Sequence, residues 1–443
     1  MDTLSQMAAN PIKKNHLIVF GRYPALGRVK TRLIPALGPA GAAALQKRLV
    51  EQTIAQARRS AAQIDARLSF CHDGGTRSQI IHWLNIGDID CMPQTSGDLG
   101  RRMFLSIRNA FRRGAERTVL IGTDIPDLKA NILDQAFDQL KRNDLVLGPS
   151  TDGGYWLVGM SKPENIFDGI AWSTSTVLEK TLALARRKAM RIGLLEPLAD
   201  LDTPNDLARW SGGKISTAPY LSVIIPTLNE AARIADTLSG AASPDTEIIV
   251  SDGGSCDQTV DIARSCGARI VAGRRGRAGQ QNRGAAAAGG DVLIFLHADT
   301  RLPPHFVGHI FETLMDRQVV LGAFRFQTDI PGPAMRWVTF WTNLRAKWLQ
   351  LPYGDQGLFM QRPNFLAVGG FPDVPIAEDL YLVRRMAPTG RITLAPAATV
   401  TSGRRWQRLG LLRTTMINTA IAIGCLAGVA PQRLAQLYRL PLK

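Results

Sequence analysis

The amino-acid sequence predicts an α/β protein with two tandem domains of one class, each built on a mostly parallel central sheet. Apolar strand-like segments alternate with helical segments, which is the pattern of parallel sheets flanked by helices. The alternation starts again after a stretch rich in Gly, Ser and Pro at 211–219. Each half also has an apolar strand that ends in an acidic residue and is followed by Pro and a helix, at 119–131 and 292–306. A length of 443 residues agrees with two domains.

We therefore divide the chain into a polar N-terminal segment at 1–15, a first domain at 16–210, a linker at 211–219 and a second domain at 220–443. The first domain opens with the strand His16–Phe20, a Gly-rich loop and the helix Gly41–Ser60, the usual start of an α/β unit. Its other predicted strands are Arg67–Phe70, Thr118–Ile121 and Leu145–Leu147, and its other predicted helices are Leu99–Arg113, Ala130–Lys141 and Thr176–Met190.

The second domain repeats the same order of elements. Its predicted strands are Leu221–Ile225, Glu247–Val250 and Arg269–Ala272, and its predicted helices are Glu230–Gly240 and Cys256–Cys266. Because ligands of such sheets bind at the carboxyl ends of the strands, we expect functional residues at those ends.

The charge of the chain indicates an anionic partner. Lys and Arg number 53 against 37 Asp and Glu, a net charge of +16 that divides into +8 on each side of Ala218. A nucleic-acid-binding arm would concentrate its basic residues in blocks, so the even distribution favours phosphorylated small molecules and gives no reason to expect a specific nucleic acid. An apolar content of 45% excludes a disordered chain.

The cysteines and the apolar segments predict a cytoplasmic protein. Five cysteines form no CxxC pair, which agrees with a reducing compartment. The segment Met1–Asn15 lacks the apolar core of a signal peptide, and Met416–Ala430 is too short to span a bilayer. The segment Leu409–Tyr438 mixes Arg with apolar residues, which fits either an interfacial helix on an anionic membrane or a core or dimer helix.

Three motifs of the second half follow predicted strands and carry acidic or amide side chains. They are PTLNE (Pro226–Glu230), SDGGSCDQT (Ser251–Thr259) and HADT (His297–Thr300). Carboxylates at strand ends can accept hydrogen bonds from a base or ribose, and a later Asp can bind a divalent cation on a diphosphate. Taken alone, Asp252 also fits a helix N-cap and Asp299 a turn cap.

The order of these motifs, followed by GRAGQQNRGAAAAGGDVLIFLHADT, GGF and EDLYLVRRM, resembles the inverting family 2 glycosyltransferases of GT-A fold over residues 221–438. The resemblance implies that Asp379, next to Glu378, is the catalytic base and that Asp252 holds the nucleotide base. It also implies that Pro226, Thr227 and Glu230 wall the nucleoside pocket and that Asp299 binds Mg²⁺ or Mn²⁺. His297 stands where many members have the first Asp of the DxD motif, so one carboxylate replaces two.

Inverting transfer also needs cations around the departing diphosphate, and Arg binds phosphate through two parallel hydrogen bonds. The candidates are Arg277, Arg283, Arg404 and Arg405, each of which also fits a solvated surface residue. Asp355 and Gln356, in the segment Gly354–Arg362, resemble a segment near the acceptor side in that family, and this resemblance implies that they contact the acceptor. Trp337, Trp341 and Trp348 have helical spacing, which is typical of a helix core, with an apolar acceptor surface as the alternative.

The first half carries a loop, Gly21–Leu33, that combines glycines with Lys30, Thr31 and Arg32 at a predicted helix start. Such a loop can bind a triphosphate, although the P-loop spacing is absent and a basic loop without a ligand is the alternative. Asp124 and Asp152 each follow a strand, and two carboxylates near a phosphate can bind Mg²⁺.

These first-half motifs, with WST and LDTPNDL, resemble over residues 16–209 a GT-A-like (DUF2064-type) domain associated with arsenosugar biosynthesis. That domain is similar to nucleotidyltransferases that charge molybdopterin or phospholactate. The resemblance implies that Gly21, Gly27, Lys30 and Arg32 bind nucleotide phosphate, and that Asp124 and Asp152 hold the metal.

The sequence therefore predicts two tandem GT-A-like domains in a bifunctional transferase. The second domain is expected to transfer a sugar from a nucleotide-sugar to a small-molecule acceptor, in arsenosugar or other small-glycoconjugate biosynthesis. The first is expected to transfer a nucleotidyl group or a sugar. A second hypothesis gives the enzyme a lipid or carotenoid acceptor at the membrane face. A third is a basic scaffold or nucleic-acid binder without catalysis. The oligomeric state stays open.

Overall fold

The computed structural model describes residues 13–210 and 220–439. Contacts divide the described chain into two compact units, one formed by 13–36 and 42–210 and the other by 37–41 and 220–439. The predicted linker at 211–219 and most of the predicted polar segment at 1–15 lie outside the described residues.

The first unit is built on a seven-stranded sheet. The strands are β1 (Asn15–Arg22), β2 (Ala66–Asp73), β3 (Asp90–Pro93), β4 (Arg117–Ile121), β5 (Leu145–Pro149), β6 (Tyr155–Met160) and β7 (Ile192–Leu194). The helices of this half are α1 (Ile34–Gln63), α2 (Arg77–Leu84), α3 (Leu99–Arg112), α4 (Ala130–Gln139), α5 (Val177–Arg187) and α6 (Pro204–Trp210). The strand order is β3-β2-β1-β4-β6-β5-β7, and only β6 runs antiparallel to its neighbours.

The second unit is built on an eight-stranded sheet. The strands are β8 (Leu221–Thr227), β9 (Thr246–Asp252), β10 (Arg269–Ala272), β11 (Val292–Phe295), β12 (Thr300–Arg301), β13 (Val319–Thr328), β14 (Leu358–Gln361) and β15 (Arg391–Thr401). The helices are α7 (Ile234–Ala241), α8 (Thr259–Ser265), α9 (Arg277–Ala287), α10 (Phe306–Leu314), α11 (Pro333–Trp348), α12 (Arg362–Ala367), α13 (Glu378–Met386), α14 (Arg404–Leu409), α15 (Leu411–Leu426) and α16 (Pro431–Arg439). The strand order is β10-β9-β8-β11-β14-β13-β15-β12.

The two sheets share one topology. In each, four parallel strands stand in the order third, second, first, fourth, and the fourth is followed by an antiparallel strand. The next pairing is again antiparallel and the one after it is parallel. The short strand β12 is an addition at one edge of the second sheet. The prediction of two α/β domains of one class with mostly parallel sheets is confirmed.

Aromatic packing fixes the GGF turn of the second unit against the sheet. Phe371 is 2% exposed, and its ring meets that of Phe295 on β11 edge to face, with 4.7 Å between the ring centroids. Phe365 on α12 packs on both rings. Asn282 on α9 adds two hydrogen bonds to the backbone of Phe371, at 2.8 and 3.0 Å. The turn that leads into α13 is therefore anchored to a core strand.

No helix within residues 13–210 and 220–439 is long and apolar enough to cross a membrane. All five cysteines are free thiols.

Candidate functional site

The three acidic motifs of the second unit meet at one edge of its sheet. β8 lies between β9 and β11 with all three strands parallel, and Thr227 pairs in register with Asp252. His297 and Asp299 follow the end of β11 in the chain. The carboxyl ends of the strands therefore place the three motifs together, as the sequence predicts.

Asp252 organises the loop that follows β9. Its Oδ2 accepts hydrogen bonds from the backbone N–H groups of Gly254 and Ser255, both at 2.8 Å. Its Oδ1 accepts from the hydroxyls of Thr227 at 3.1 Å and Ser255 at 2.5 Å. Burial raises the pKa of this carboxyl, but the four donors outweigh burial and lower it below its ordinary value. A nucleotide base could bond to Asp252 only by replacing one of the two hydroxyls, because a carboxylate has about four lone-pair positions.

Arg404 on α14 bridges two of the predicted site acids. Its two Nη atoms bond both carboxylate oxygens of Glu230, at 2.7 and 3.0 Å. Nη2 also lies 3.1 Å from Oδ2 of Asp299. Burial and the Glu230 carboxylate raise the pKa of Asp299, although Arg404 opposes this. The predicted nucleoside, metal and phosphate residues thus meet in one charge cluster.

Asp379 and His297 both lie close to Gly354. Its N–H donates to Oδ2 of Asp379 at 2.6 Å, and a Cβ at position 354 would lie 2.9 Å from His297 Nε2 and 3.1 Å from that same Oδ2. The N–H of Leu380 donates to the other carboxylate oxygen at 2.8 Å. Burial, together with Arg277 and Arg404, lowers the pKa of His297 to about 3, so its imidazole is neutral at physiological pH. The predicted base therefore has a fixed orientation beside a neutral imidazole.

Glu378 precedes the proposed base in the chain, and its side chain is only 5% exposed. Its Oε1 atom lies 3.5 Å from Nε of Arg277. Burial raises the pKa of Glu378, against the effect of Arg277 and with the help of Asp379. Arg277, which begins α9 and is 55% exposed, keeps a solvent-facing surface near the cluster.

The remaining residues predicted to bind the donor lie around the same edge. Pro226 precedes Thr227 at the end of β8, and Arg405 is half-buried next to Arg404 on α14. Arg283 on α9 donates through Nη2 to the carbonyl of Arg274 at 2.8 Å, so in this conformation it holds the loop before α9.

Of the two predicted acceptor residues, Asp355 faces a cavity and Gln356 does not. Gln356 is 0% exposed, and its amide donates to the carbonyl of Phe324 at 3.0 Å and accepts from the N–H of Tyr353 at 3.1 Å. A buried amide whose oxygen and nitrogen are both bonded within the protein cannot contact an acceptor. The assignment of Gln356 to the acceptor is therefore corrected: its side chain holds the backbone of Tyr353 against that of Phe324.

The cavity beside Asp355 has a volume of about 230 Å³. It is lined by α11, by the segment around residue 354, and by α14 and α15. Arg345 from α11 lies over the ring of Tyr353, with 3.5 Å between the guanidinium carbon and the ring centroid. Burial raises the pKa of Asp355 to about 6, and Asp379 and Asp299 act in the same direction while Arg345 opposes them.

The tryptophan stripe of α11 is not a helix core. Trp337, Trp341 and Trp348 are 58%, 49% and 73% exposed, and the first two line the cavity. The prediction of a core stripe is wrong because α11 packs through Met335, Val338 and Ala346, on a different face. On α15, Ile417, Ile421 and Cys425 are buried, while Leu412 and Met416 are exposed.

Sequence reasoning missed several residues that shape this site. Gln280 is buried and donates to the carbonyls of Thr227 and Ser251, both at 2.8 Å, which ties α9 to the ends of β8 and β9. Arg345, Tyr353 and Trp406 line the cavity. The motif GRAGQQNRG contains Gln280, but nothing in its spacing indicates which Gln faces the sheet.

Asp299 and His297 offer some, but not all, of the ligands that a divalent cation needs. Arg404 approaches Oδ2 of Asp299, which leaves Oδ1, and neutral His297 is a nitrogen donor that Mn²⁺ accepts. In the described part of the chain no three His, Cys, Asp or Glu side chains are grouped so as to hold a metal. A cation here would therefore take most of its ligands from a bound diphosphate.

In the first unit, Lys30 binds carboxylates. Its ammonium lies 2.5 Å from Oδ1 of Asp124, 2.7 Å from Oδ1 of Asp202 and 2.7 Å from the carbonyl of Leu201. Burial alone would lower the pKa of Lys30, but the two carboxylates raise it above its ordinary value. The Lys30 side chain is 3% exposed and bonds these three oxygens, so a contact with nucleotide phosphate, which stays a prediction, would require Lys30 to leave one of these partners.

The other predicted residues of the first unit differ in their exposure and partners. Asp152 is exposed and accepts from the N–H of Gly154 at 2.9 Å. Asp200, which sequence reasoning missed, has its pKa raised to about 6 by burial and by Asp152, Asp202 and Asp206. Gly21 is buried in β1, whereas Gly27 and Arg32 are exposed on the loop. Asp124, Asp152, Asp200 and Asp202 therefore give this part of the unit an acidic character around the Lys30 ammonium.

The chain matches two protein families. Residues 222–370 match the family described as Glycosyl transferase family 2, and residues 53–174 match the family described as Uncharacterized protein conserved in bacteria (DUF2064). These matches confirm the family 2 glycosyltransferase resemblance and the DUF2064-type resemblance, and neither description names arsenosugar biosynthesis.

Relatives share only part of their length with this chain. The PGL/p-HBAD biosynthesis glycosyltransferase of Mycobacterium bovis is 40% identical over 95 residues, 19% of this chain and 37% of the relative. The glucosyl-3-phosphoglycerate synthase of Mycobacterium tuberculosis is 33% identical over 122 residues, 24% of this chain and 37% of the relative. The chain thus spans little more than a third of either curated relative.

Among solved structures, a Desulfovibrio desulfuricans G20 protein assigned as a nucleotide-diphospho-sugar transferase is 31% identical, with a TM-score of 0.42. The match covers 46% of this chain and 88% of that protein. The mycobacterial synthase, solved with Mn²⁺, UDP and glucosyl-3-phosphoglycerate, has a TM-score of 0.35 at 21% identity and covers 50% of this chain and 84% of that one.

The close approach at Gly354 makes a first prediction. Gly354→Ala places a methyl group 2.9 Å from His297, which is closer than real Cβ atoms come, and 3.1 Å from Asp379, which is tighter than most Cβ contacts, so His297 must shift and Asp379 must give way. We expect transfer activity to fall at least tenfold while the melting temperature changes by only a few degrees. Gly240→Ala is the matched control, because its Cβ meets nothing within 4 Å. Equal activity in the two variants would contradict the geometry.

Asp355 makes a prediction about stability. A carboxyl whose pKa rises to about 6 on folding, from about 4 when unfolded, destabilises the folded state increasingly as pH rises from about 4 to 6. Asp355→Asn should therefore melt at a higher temperature than the parent at pH 7.5, with a gain of at most about 3 kcal/mol in the free energy of unfolding, and should lose this gain near pH 4. Melting curves between pH 4 and 8 measure it, with the exposed Asp373→Asn as control. A difference independent of pH would refute the burial of this charge.

Proposed function

We propose that this chain, whose second half carries a family 2 glycosyltransferase domain, transfers a sugar from a nucleotide-sugar to an acceptor hydroxyl with inversion. The observation that carries the proposal is the Asp379 carboxylate, held by two backbone N–H groups beside the acid and arginine cluster at the carboxyl ends of the strands. A small glycoconjugate, such as an arsenosugar precursor, is the proposed acceptor class.

Asp379 acts in this proposal as the general base. Its two hydrogen bonds fix the direction of the carboxylate and leave further lone pairs to accept the proton of an acceptor hydroxyl. The hydroxyl oxygen then attacks the anomeric carbon on the face opposite the bond to the diphosphate. Neutral His297 can accept or donate a hydrogen bond beside the reacting atoms without adding charge.

Arginines stabilise the leaving group. The Arg404 guanidinium, which bonds Glu230 bidentately, has the fork geometry that also suits a phosphate. Arg277 carries an exposed cation at the start of α9, where the helix dipole adds positive potential. Asp299 and His297 would hold Mg²⁺ or Mn²⁺. Such a cation neutralises charge on the departing diphosphate.

The first domain is proposed to be a second transferase that uses a nucleotide or nucleotide-sugar. In support, it has the strand topology of the second domain and places acids at the equivalent ends of its strands. Asp124 and Asp152 would hold its cation, with Asp124 exchanging the Lys30 ammonium for the metal.

The base is tested by Asp379→Asn. Removal of the proton acceptor should lower transfer at least a thousandfold, while binding of the nucleotide-sugar, followed by thermal shift, stays within about threefold of the parent. Asp373→Asn, an exposed acid a few residues earlier, should retain full turnover. Transfer by Asp379→Asn at the parent's rate would exclude it as the base.

The presence of two separate sites is tested by a pair of variants in the full chain. Nucleotides and nucleotide-sugars with Mg²⁺ or Mn²⁺ should stabilise the parent protein by mass action. Asp124→Ala should abolish the metal-dependent stabilisation from one set of ligands and Asp299→Ala that from another. If either variant removed both sets, the chain would hold one site and not two.

A further inference from the structure

The cavity beside Asp355 has aromatic walls and a polar floor. Five aromatic side chains face it: Phe326, Trp337, Trp341, Tyr353 and Trp406. Trp337 and Trp341 meet edge to face, with 5.9 Å between ring centroids, and both remain half exposed at the mouth. Such faces pack against flat apolar surfaces of a ligand.

Six polar atoms of the residues that line the cavity are buried, and no group within residues 220–439 bonds to them. They are Nε and Nη2 of Arg345, Oδ1 of Asp355, the Tyr353 hydroxyl, the Trp406 Nε1 and the Thr415 hydroxyl. Leaving such an atom unbonded costs about 1–3 kcal/mol, so the set is suited to a ligand that bonds to it. Three of the atoms are N–H donors, one is a carboxylate acceptor, and the two hydroxyls can act as either.

The charges select a neutral ligand. Arg345 contributes one positive charge and Asp355 one negative charge, and the two interact across the cavity. An acidic ligand would gain from Arg345 but be repelled by Asp355, and a cationic ligand would meet the reverse. A ligand with several hydroxyl groups can accept from the guanidinium and donate to the carboxylate at once. A purely apolar ligand would leave both charges without a hydrogen bond.

The size of the cavity selects a small ring. About 230 Å³ lies below the roughly 300 Å³ at which pockets for drug-sized ligands begin. One six-membered ring with its hydroxyls fits that volume, with any further part of the molecule leaving along the exposed Trp337 and Trp341.

The cavity adjoins the proposed base. Tyr353 and Asp355 line it, and the residue between them, Gly354, donates its N–H to Asp379. The cavity lining and the partner of the proposed base are therefore adjacent in the chain.

We infer that this cavity is the acceptor subsite and that it takes a neutral polyhydroxylated ring, a sugar or a cyclitol, packed against the indoles and bonded to Arg345 and Asp355. The assignment of the ring as acceptor rests on the proposed glycosyl transfer. The specificity for a neutral hydroxylated ring rests on the cavity alone.

The test uses the full chain and ligand-observed saturation-transfer NMR. The probes are methyl β-D-glucopyranoside and myo-inositol as neutral rings, benzoate as a planar acid and 1-octanol as an apolar chain. We expect a saturation-transfer signal from both neutral rings and a markedly weaker signal from benzoate and 1-octanol. Signals from benzoate or octanol that exceed those of both neutral rings would overturn the inference.

Two tryptophans of the same helix form the matched pair. Trp341→Ala removes a wall of the cavity from a half-exposed position, where folding is little affected, and should raise the Kd of the neutral rings about tenfold. Trp348→Ala, 73% exposed and outside the cavity lining, should leave that Kd unchanged, and Trp341→Phe should restore most of the affinity. Equal effects of Trp341→Ala and Trp348→Ala would show that the rings bind elsewhere.

A separate assay reports on the proposed function. Slow hydrolysis of a nucleotide-sugar by water needs the donor site and Asp379 but not the cavity. If the parent protein hydrolysed the nucleotide-sugar but bound neither neutral ring, the subsite would be refuted and the transferase proposal would stand. Ring binding without any use of a nucleotide-sugar would refute the transferase proposal and leave the specificity of the cavity intact.

Discussion

The alignment of three adjacent parallel strands, β9, β8 and β11, is the constraint on which the second unit depends. Parallel neighbours end at the same edge, so residues that are far apart in the chain, such as Glu230 and Asp299, come to lie around one guanidinium. Buried hydrogen bonds from Gln280 to the carbonyls of β8 and β9 keep those two strand ends in register with α9. The acidic side chains can then cluster without losing the backbone pairing that supports them.

Clustered acids repel, and both units use the same means of compensation. In each, the acid that follows the fourth parallel strand is paired with a cation from a distant part of the chain: Asp124 with Lys30, and Asp299 with Arg404. The two cations differ in what they leave available. Lys30 is buried and saturated, whereas Arg404 is 44% exposed and keeps a solvent-facing surface. Charge compensation is therefore internal in the first unit and open to a ligand in the second.

Much of this architecture could be predicted from sequence, because strand periodicity and strand-end acids are local signals. The strands β1, β2, β4 and β5 of the first unit and β8, β9 and β10 of the second lie within a few residues of their predicted bounds, whereas β3, β6 and β7 have no predicted counterpart. The strands β13, β14 and β15 were not predicted, since their pairing joins segments up to about 70 residues apart and their burial follows no simple alternation. Partners are equally non-local. The ion pair between Lys30 and Asp202 joins residues that are far apart in the chain, so the loop around Lys30 gives no sign of it. The exposure of Trp341 likewise depends on which face of α11 packs on the sheet.

The short helix α14 joins the two halves of the second-unit site. Arg404 at its start bonds Glu230 and lies beside Asp299, and Trp406, two residues later, lines the cavity and packs on Phe326 with 5.8 Å between ring centroids. The backbone that positions the Arg404 guanidinium also positions the Trp406 indole. Because no residue between Ser402 and the last described position, 439, is acidic, this segment is drawn as a whole toward an anion. Arg404 and Trp406 therefore lie on one helix of six residues, so a displacement of α14 would change both the charge cluster and a wall of the cavity.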